Sequence, residues 1–318
     1  MNYIVLDLEW NQSSTPEESN PLLTFEIVEI GAIKLNNERA MIGEFSRLVK
    51  PQVYKEMHHV TRKLIHLQIE ELEKGDTFPE VAKDFLEWCK DDNMYCTWGP
   101  LDLCELQNNL RFHGMELLKE GPIPYYDVQK LFSMAFEDGK SRRSLEYAVD
   151  FLKIEKDIPF HRAFSDAYYT AKVFAKIREE DVLKFISFDT YLAPAKKEDE
   201  IEIDFGKYTK HIFRQFGTKT DVLNDKEVLS MRCPVCHRGT IRKIKWFTPN
   251  HKNFYAVSFC PRHGFVKAKV RLRKDADDKF FVIKTMRPIE KATMLEIQEK
   301  YNKMVAAKKK AKAKNKTK

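Results

Sequence analysis

The apolar positions of the first 190 residues alternate between strand spacing and helical spacing. Apolar runs bounded by turn residues predict strands over residues 3–9, 25–35 and 44–49. Apolar residues at helical spacing then predict helices over residues 61–73 and 78–90. Strands first, followed by alternating helices and strands, indicate an α/β domain with a mixed sheet flanked by helices.

The next elements have clear start and stop signals. Residues 94–98 predict a strand that Gly99-Pro100 ends, and a helix over residues 101–113 follows. The remaining predicted elements are a short strand at 125–128, a short helix capped by Ser144 and an amphipathic helix over 163–180. This half of the chain therefore has enough elements for one complete domain.

Charge divides the chain into segments of different character. Residues 1–190 carry 23 basic and 34 acidic side chains, a net charge of −11, whereas the remainder carries +18, for a total of +7. An acidic half can hold metal and a basic half can hold a polyanion, although a basic surface can also serve solubility alone. The predicted organisation is an α/β domain at 1–190, a linker at 191–204, a basic β domain at 205–288, and a C-terminal helix with a lysine-rich tail at 289–318. The tail from residue 306 onward is predicted to be disordered, because it has seven lysines and no acid.

Hydropathy and cysteine usage predict a cytoplasmic protein. No apolar run approaches roughly 18 residues, so no transmembrane helix is expected. The first residues enter a strand pattern at once and lack the features of a signal peptide. The six cysteines are too few for a disulfide scaffold, and three of them have metal-ligand spacing.

Asp7 and Glu9 stand two residues apart in an apolar strand. Side chains at this spacing point to the same face. The two carboxylates therefore repel each other and lose hydration, and a divalent cation would relieve both costs. About seven acidic pairs of this spacing are expected by chance at this composition. The flanking residues Ile4-Val5-Leu6 do not resemble a solvated face, which favours metal binding.

Asp102, His161 and Asp166 each have a structural explanation beside a functional one. Asp102 follows Gly-Pro in the first turn of a predicted helix, and Asp166 lies in the first turn of another. Carboxylates at these positions stabilise a helix start without any further role. The functional interpretation makes both aspartates metal ligands and His161 a general base, since histidine titrates near neutral pH. Their spacing alone does not decide between the two explanations.

Taken together, these segments resemble the DEDDh exonucleases, the group that includes ribonuclease T and the proofreading subunit of DNA polymerase. Three motifs occur in the family's order: Asp7-Leu8-Glu9, Trp98-Gly99-Pro100-Leu101-Asp102 and His161-Arg162-Ala163-Phe164-Ser165-Asp166-Ala167. Residues 26–32 and 77–81 also resemble segments of the family. The resemblance covers roughly residues 1–185 and looks closest to the ERI-type and KapD-like branch, some of whose members act on RNA.

The resemblance implies an RNase H-like fold, with a mixed five-stranded sheet, and a two-metal mechanism. Asp7, Glu9, Asp102 and Asp166 would hold two Mg²⁺ or Mn²⁺ ions, and His161 would take a proton from the attacking water. The implied reaction is 3′→5′ hydrolysis of single-stranded nucleic acid, RNA favoured over DNA, to nucleoside 5′-monophosphates.

Trp10 and Asn11, which directly follow the first motif, are candidate substrate contacts. The family often has small or hydroxyl residues there, whereas this chain has Trp10, Asn11 and Gln12. Trp10 could stack on the terminal base or belong to the core, and Asn11 lies beside it. This departure puts the sugar specificity in doubt and leaves the metal ligands unaffected.

A second metal motif lies in the basic half. Its two half-sites are Cys233-Pro-Val-Cys236 and Cys260-Pro-Arg-His263, separated by 23 residues. They fit a zinc ribbon with one structural Zn²⁺ held by three thiolates and one imidazole. His237 and His251 compete with His263 as the fourth ligand, and His263 is preferred because its pair repeats the pattern of the first. Unligated buried thiols are the alternative.

Basic residues interleaved with aromatics surround the predicted ribbon. Lys267, Lys269, Arg271 and Arg273 alternate along one predicted strand and therefore share a face. Such a face could follow a phosphate backbone, with Trp246 stacking on bases. A polar outer face and a surface for a protein partner are the alternatives.

Two functions of different class are compatible with the sequence. The first is a metal-dependent 3′→5′ exonuclease acting on single-stranded RNA or DNA with a free 3′ end, in which the ribbon aids substrate capture. The second is a catalytically idle nucleic-acid-binding or scaffolding protein on the same fold. Neither involves a membrane, and a homodimer is compatible with both, since the resembled family includes dimers.

Overall fold

The apolar runs of the first half form the strands of one mixed sheet. The computed structural model describes residues 1–65, 69–90, 92–178 and 180–314. It divides into two units, Met1–Tyr191 and Leu192–Lys318. The strands of the first unit are β1 (Asn2–Asn11), β2 (Glu26–Leu35), β3 (Met41–Leu48), β4 (Asn93–Thr97), β5 (Ile123–Asp127) and β6 (Ser187–Asp189).

The sheet of the first unit has the order β3-β2-β1-β4-β5-β6. Strand β1 pairs antiparallel with β2 and parallel with β4, so the predicted mixed α/β sheet is confirmed. The sheet has six strands instead of five because β6 pairs antiparallel with β5. A strand of only three residues gives too short a pattern to be recognised in the sequence.

Helices cover both faces of this sheet. They are α1 (His59–Ile65), α2 (Ile69–Leu72), α3 (Phe78–Cys89), α4 (Asp102–Phe112), α5 (Val128–Phe136), α6 (Leu145–Phe151), α7 (Ala163–Lys176) and α8 (Glu180–Leu183). The predicted helix over 61–73 corresponds to α1 and α2, and its residues 66–68 lie outside the described part of the chain. None of the helices in the described ranges combines the length and the apolarity needed to cross a membrane.

Strand β1 lies at the centre because both of its faces are apolar. Ile4, Leu6 and Leu8 join the core that α3 and α4 complete. Tyr3 and Val5 join a second core on the opposite face, to which α5, α6 and α7 contribute. A strand buried on both faces is encoded as a nearly continuous apolar run. An acidic side chain in such a strand is therefore held against packed helices.

In the part that the structure describes, the second unit is an antiparallel sheet with three α-helices. Its strands are β7 (Ile201–Asp204), β8 (Thr209–Ile212), β9 (Ile241–Phe247), β10 (Asn253–Cys260), β11 (Gly264–Lys274) and β12 (Phe280–Ile289), in the order β7-β8-β12-β11-β10-β9. The helices are α9 (Lys219–Asn224), α10 (Lys226–Leu229) and α11 (Lys291–Lys314). Helix α11 packs on the sheet through the buried Ile297 and its apolar neighbours.

Two predictions about the chain's organisation need correction. Residues 191–204 are not only a linker, because Ile201–Asp204 is the edge strand β7 and pairs with β8. Its four residues alternate apolar and acidic side chains, a pattern too brief to separate from a polar loop. The tail is not disordered from residue 306, since α11 continues to Lys314. Alanine and lysine are good helix formers, which explains this continuation.

Candidate active site and second metal centre

Three of the predicted metal ligands converge beside β1. Asp7 and Glu9 lie on one face of this strand, and Asp166 lies in the first turn of α7. Each offers one carboxylate oxygen, and these oxygens all lie within 4.8 Å of one another. A β-bulge follows Glu9, and bulges of this kind re-aim side chains beside many active sites. The arrangement can hold a hard divalent cation through oxygen ligands.

Asp102 approaches the same strand from the other side. Strand β4 pairs with β1 only as far as Val5, so the backbone N–H groups beyond that point need other partners. The N–H of Leu8 donates to Oδ1 of Asp102 at 3.2 Å. Asp102 is buried in the first turn of α4, and its charge acts on Asp7. It lies next to the three-carboxylate group without being part of it.

His161 is exposed and has an unusual backbone conformation. Its φ angle is 67°, in the left-handed region that side chains other than glycine seldom adopt. Its backbone N–H donates to Oδ1 of Asp166 at 3.3 Å. Strained backbone at such a position is a common property of functional sites. The contact places the His161 residue directly beside a metal-ligand candidate.

Burial and mutual repulsion shift the titration of these carboxyl groups. Burial, followed by the charges of Asp102 and Glu9, raises the pKa of Asp7 well above its usual range. Burial, followed by the charges of Asp166 and Glu29, raises the pKa of Glu9 to about 8. Burial raises the pKa of Asp102 to about 7, although hydrogen bonds from backbone N–H groups, that of Leu8 included, oppose the rise. Burial also raises the pKa of Asp166. Four neighbouring acids with raised pKa values are typical of a site where a bound cation compensates their negative charge.

Sequence reasoning missed the residues that bring α7 to the sheet. Glu29 of β2 pairs with Glu9 across the strands and is 1% exposed. It accepts two hydrogen bonds from the Arg162 guanidinium, at 2.9 and 3.0 Å, and one from the N–H of Ala163 at 3.3 Å. Gly31 allows this close approach, because a Cβ there would lie 2.1 Å from the carbonyl carbon of Ala163. A glycine inside an apolar strand is the sequence signal for such an approach.

The two candidate substrate contacts near Asp7 differ in their surroundings. Asn11 is fully buried, and its amide bonds the carbonyl of Glu56 at 2.8 Å and the N–H of His58 at 2.9 Å. Asn11 therefore anchors the segment that follows β3, and this placement fits a structural role better than a substrate contact. Trp10 is half-buried, with its ring centroid 5.6 Å from that of Phe25. Its contact with substrate stays a prediction.

The predicted zinc ligands of the second unit form one cluster. Ligand atoms of Cys233, Cys236, Cys260 and His263 all lie within 4.8 Å of one another. The distance from Cys233 Sγ to His263 Nδ1 is 3.4 Å, and that from Cys236 Sγ to Cys260 Sγ is 3.7 Å. Tetrahedral ligands about 2.3 Å from zinc stand roughly 3.8 Å apart, so the donors have the spacing that Zn²⁺ requires.

The choice of the fourth donor agrees with this geometry, whereas the thiols differ in their titration, since burial raises the pKa of Cys233. His237 points elsewhere, with Nε2 lying 3.3 Å from Asp204, whereas His263 belongs to the cluster. Although burial opposes it, hydrogen bonds from the backbone N–H groups of Arg262 and His263 lower the pKa of Cys260 to about 6. A thiolate is the form that binds metal.

The four predicted basic residues lie on the central strand β11. Lys267 and Lys269 are half-buried, and Arg271 and Arg273 are exposed. Trp246 is half-buried on β9, packs against two core clusters and donates its indole N–H to the carbonyl of Leu229 at 3.0 Å. This ring is therefore part of the unit's packing, and its stacking on bases stays a prediction.

An α/β unit whose central strand gathers three carboxylates with a fourth adjoining can hold divalent cations. The family model for the RNase T type, described as exonuclease, matches residues 4–174, and the chain belongs to this exonuclease family. The matched segment contains Asp7, Glu9, Asp102, His161 and Asp166. The resemblance to exonucleases is confirmed at this level.

Individual relatives are distant. The chain is 22% identical over 189 residues to 3′-5′ exoribonuclease 1 of Rattus norvegicus, which covers 55% of this chain and 52% of that protein. It is 25% identical over 178 residues to the PolC-type DNA polymerase III of Caldanaerobacter subterraneus subsp. tengcongensis, covering 56% of this chain and 12% of that protein. The chain thus spans about half the length of the exoribonuclease.

Solved structures that match parts of the chain are also distant from it in sequence. The nuclease domain of 3′hExo, a DEDDh family member, bound to rAMP, is 17% identical, with a TM-score of 0.47 and coverage of 55% of this chain and 90% of that one. Exonuclease I of E. coli in complex with a dA16 oligonucleotide is 12% identical, with a TM-score of 0.48 and coverage of 85% and 54%.

Proposed function

We propose that the chain is a metal-dependent exonuclease that removes nucleotides from the 3′ end of single-stranded nucleic acid. The observation that carries the proposal is the convergence of Asp7, Glu9 and Asp166 beside β1, with Asp102 adjoining. RNA is favoured over DNA as substrate. The names of the rat and mouse relatives, 3′-5′ exoribonuclease 1, support this preference, while the PolC-type relative keeps DNA in the test below.

The donor set fits divalent cations of the hard type. Asp7, Glu9, Asp102 and Asp166 would hold two Mg²⁺ or Mn²⁺ ions, which prefer carboxylate oxygens. When bound, such ions supply Lewis-acid activation of water and stabilise negative charge on the phosphate and on the departing 3′ oxygen. The raised pKa values of Asp7 and Glu9 support this assignment, because a cation removes the repulsion that keeps these groups protonated.

The protein's own residues supply positioning and a base. His161 accepts the proton of the attacking water at its imidazole, which the exposed side chain can reach without a change in the core. Its backbone hydrogen bond to Asp166 fixes the start of the segment that carries both residues. Breaking the bond between phosphorus and the 3′ oxygen of the preceding nucleotide releases a nucleoside 5′-monophosphate.

The second metal centre has a structural role in this proposal. Four protein donors close the coordination shell of Zn²⁺ and leave no open position for catalysis. Soft thiolates favour Zn²⁺ over Mg²⁺, which separates the two kinds of site within one chain. Cys233, Cys236, Cys260 and His263 would hold the zinc, which would join their chain segments and stabilise the small unit around them.

The test is a cleavage assay with end-labelled strands. Single strands of RNA and DNA, labelled at either end, are incubated with the protein and Mg²⁺. We expect mononucleotide release from the 3′ end, faster for RNA, and its loss with EDTA and in Glu9→Gln. The matched control is Glu44→Gln, which removes an exposed glutamate from β3 and should keep full activity.

The same assay decides against the competing function. A catalytically idle protein would bind the strands and degrade neither RNA nor DNA with Mg²⁺ or Mn²⁺. Faster cleavage of DNA would overturn the substrate preference while leaving the exonuclease proposal intact. Internal cleavage products, in place of mononucleotides, would contradict an exonuclease.

A further inference from the structure

One face of the second sheet, the face on which α11 also packs, brings like charges together. Lys267 of β11 lies directly opposite Arg287 of β12. The charges of Arg287, Lys269 and Lys300, after burial, lower the pKa of Lys267, so these cations lie close in space. Like charges directly opposed on neighbouring strands destabilise a sheet. This opposed pair therefore costs the sheet stability, and a bound anion would offset that cost.

Carboxylates balance other cations of this unit but not these. Arg214 pairs with Glu200 and Asp225, and Lys274 pairs with Asp278. Within residues 192–314, the described part of the unit, Lys267, Lys269, Arg271 and Arg287 form no ion pair with a carboxylate. The cation cluster is therefore unneutralised by the protein itself. We call it the cationic face, defined by Lys267, Lys269, Arg271, Arg287 and Lys300.

Two tyrosines lie among these cations. Tyr255 of β10 pairs across the strands with Lys269, and the Nζ atoms of Lys267 and Lys269 lie 5.3 and 5.8 Å from its ring centroid. Tyr208 is half-buried near Arg271 and Arg287, whose charges oppose the rise that burial causes in its pKa. Aromatic rings beside a basic strip are the usual combination for holding unpaired bases and their phosphates.

We propose that the cationic face binds single-stranded nucleic acid and holds the substrate of the exonuclease away from its 3′ end. The role of the face in holding substrate rests on the proposed function, whereas its binding of nucleic acid can be measured without cleavage. Cations on β11 recur every two residues, about 7 Å apart, a regular interval that an extended phosphate backbone can follow. Helix α11 borders the face and contributes Lys300.

A single strand fits this face better than a duplex. Stacking on Tyr255 or Tyr208 requires a base whose flat face is free, and in a duplex the neighbouring bases cover it. The cations of the face stand on sheet strands, with Lys300 added from α11, whereas reading a duplex groove needs a helix or a two-stranded ribbon inserted into it. Binding of a duplex with equal affinity is therefore the outcome that separates plain charge attraction from the proposed role.

The first experiment measures binding of a long single-stranded RNA to the full chain in a buffer without chelator or added Mg²⁺, so that the zinc site stays loaded, with Glu9→Gln present to prevent cleavage. The test variant adds Lys269→Gln, Arg271→Gln and Arg287→Gln. We expect affinity to fall by about tenfold or more and the salt slope to fall by about 2, since each lost phosphate contact removes roughly 0.7 from the slope for single strands. The variant should unfold at the same temperature or higher, because repulsion is relieved.

The matched control removes three exposed lysines elsewhere in the same unit, as Lys226→Gln, Lys252→Gln and Lys279→Gln. It has the same net charge as the test variant and should keep most of the affinity. Equal losses in both variants, or no loss in the test variant, would overturn the proposal. With Glu9 restored, the test variant should still cleave a tetranucleotide at the normal rate. Absence of nuclease activity in the unaltered protein would refute only the proposed function.

A second variant tests stacking. Tyr255→Leu keeps an apolar side chain against α11 and removes the ring. We expect about tenfold weaker binding of the RNA and little change for an abasic strand of equal length, because only the former offers bases to stack. Equal losses on both strands would mean that Tyr255 supports the sheet and contacts no base.

Discussion

At the residue scale, the site depends on a buried acid that is not itself a metal-ligand candidate. Glu29 receives the guanidinium of Arg162 through two hydrogen bonds and the N–H of Ala163 through a third. These contacts fix the start of α7, two residues after His161 and three before Asp166. Supporting residues of this kind keep ligands in place without touching the metal.

Replacing Glu29 should therefore impair the site from a distance. In Glu29→Gln the neutral amide keeps the size of the side chain and loses the paired charge. We expect activity to fall about 10- to 100-fold, with part of the loss recovered at high Mg²⁺, because weakened positioning lowers metal affinity. Steady-state kinetics over a range of Mg²⁺ concentrations measure this. The control is Glu73→Gln, an exposed glutamate of the same unit, which should behave as the unaltered protein. Full activity of Glu29→Gln at low Mg²⁺ would remove the positioning role.

The raised pKa values predict how the metal-free protein responds to pH. Asp7 and Glu9 hold their protons more tightly in the folded state, so their contribution to stability is complete below the unfolded pKa of about 4. It is lost as pH rises through the folded pKa, which is about 8 for Glu9 and about 7 for Asp102. Without added Mg²⁺ or Mn²⁺, in a buffer free of chelator so that the zinc site stays loaded, we expect the unfolding temperature to fall between about pH 5 and pH 8.

Thermal unfolding with and without Mg²⁺ checks this expectation. The ion should raise the unfolding temperature more at pH 8 than at pH 5, since metal binding requires ionised ligands. Glu9→Gln should flatten the pH dependence measured without Mg²⁺, because it removes one of the shifted groups. A metal-free protein that gains stability from pH 5 to pH 8, with no dependence on Glu9, would contradict the electrostatic account.

At the element scale, the close contact between β2 and α7 is the least tolerant part of the site. Gly31 pairs with Asp7, and a methyl group on Gly31 would meet the backbone of Ala163 and Phe164 at 2.1 Å. Backbone atoms cannot move aside as a flexible side chain can. The contact therefore sets the distance between the helix that carries Asp166 and the strand that carries Asp7.

Gly31→Ala should separate these two elements. We expect a loss of about 1–3 kcal/mol or more in the free energy of unfolding and a large loss of activity, as for other insertions into a packed contact. Denaturant unfolding and the cleavage assay measure both effects. Gly43→Ala is the matched control, since that strand glycine meets only the Trp88 side chain, at 3.4 Å. Equal behaviour of the two variants would show that the contact can relax.

Elements with long patterns were predictable from the sequence, and their contacts were not. The apolar run around Asp7 predicted β1, and the order of the acids predicted which strand and helix starts meet. The ion pair of Glu29 with Arg162 joins residues 133 positions apart, and the sequence near either residue does not predict it. The burial of Asn11 likewise depends on a loop that folds back on β1. Short elements such as β6 and β7 gave too few residues for a periodic pattern.

At the scale of the whole molecule, the two units divide the charges between two kinds of ligand. The first unit is acidic and brings Asp7, Glu9 and Asp166 together at one place, where small cations can neutralise them. The second is basic and, among its described residues, carries cations without a carboxylate partner on one sheet face, where a polyanion can neutralise them. The second metal centre belongs to the second unit. Binding of nucleic acid by that unit should therefore depend on a metal different from that of the active site.

Loss of the second metal centre should therefore weaken binding of long single strands and leave the hydrolysis of short ones unchanged. We expect the full chain to hold one zinc ion, released by a thiol reagent, and Cys236→Ala to hold none, because three ligands remain from a closed set of four. Zinc binding contributes directly to the stability of small units of this kind, so this variant should unfold at a lower temperature. It should bind long single strands weakly and still cleave a tetranucleotide with Mg²⁺.

Cys104→Ala, a cysteine outside the cluster, is the control and should keep both zinc and long-strand binding. Normal binding of long strands by zinc-free Cys236→Ala would separate the centre from substrate capture.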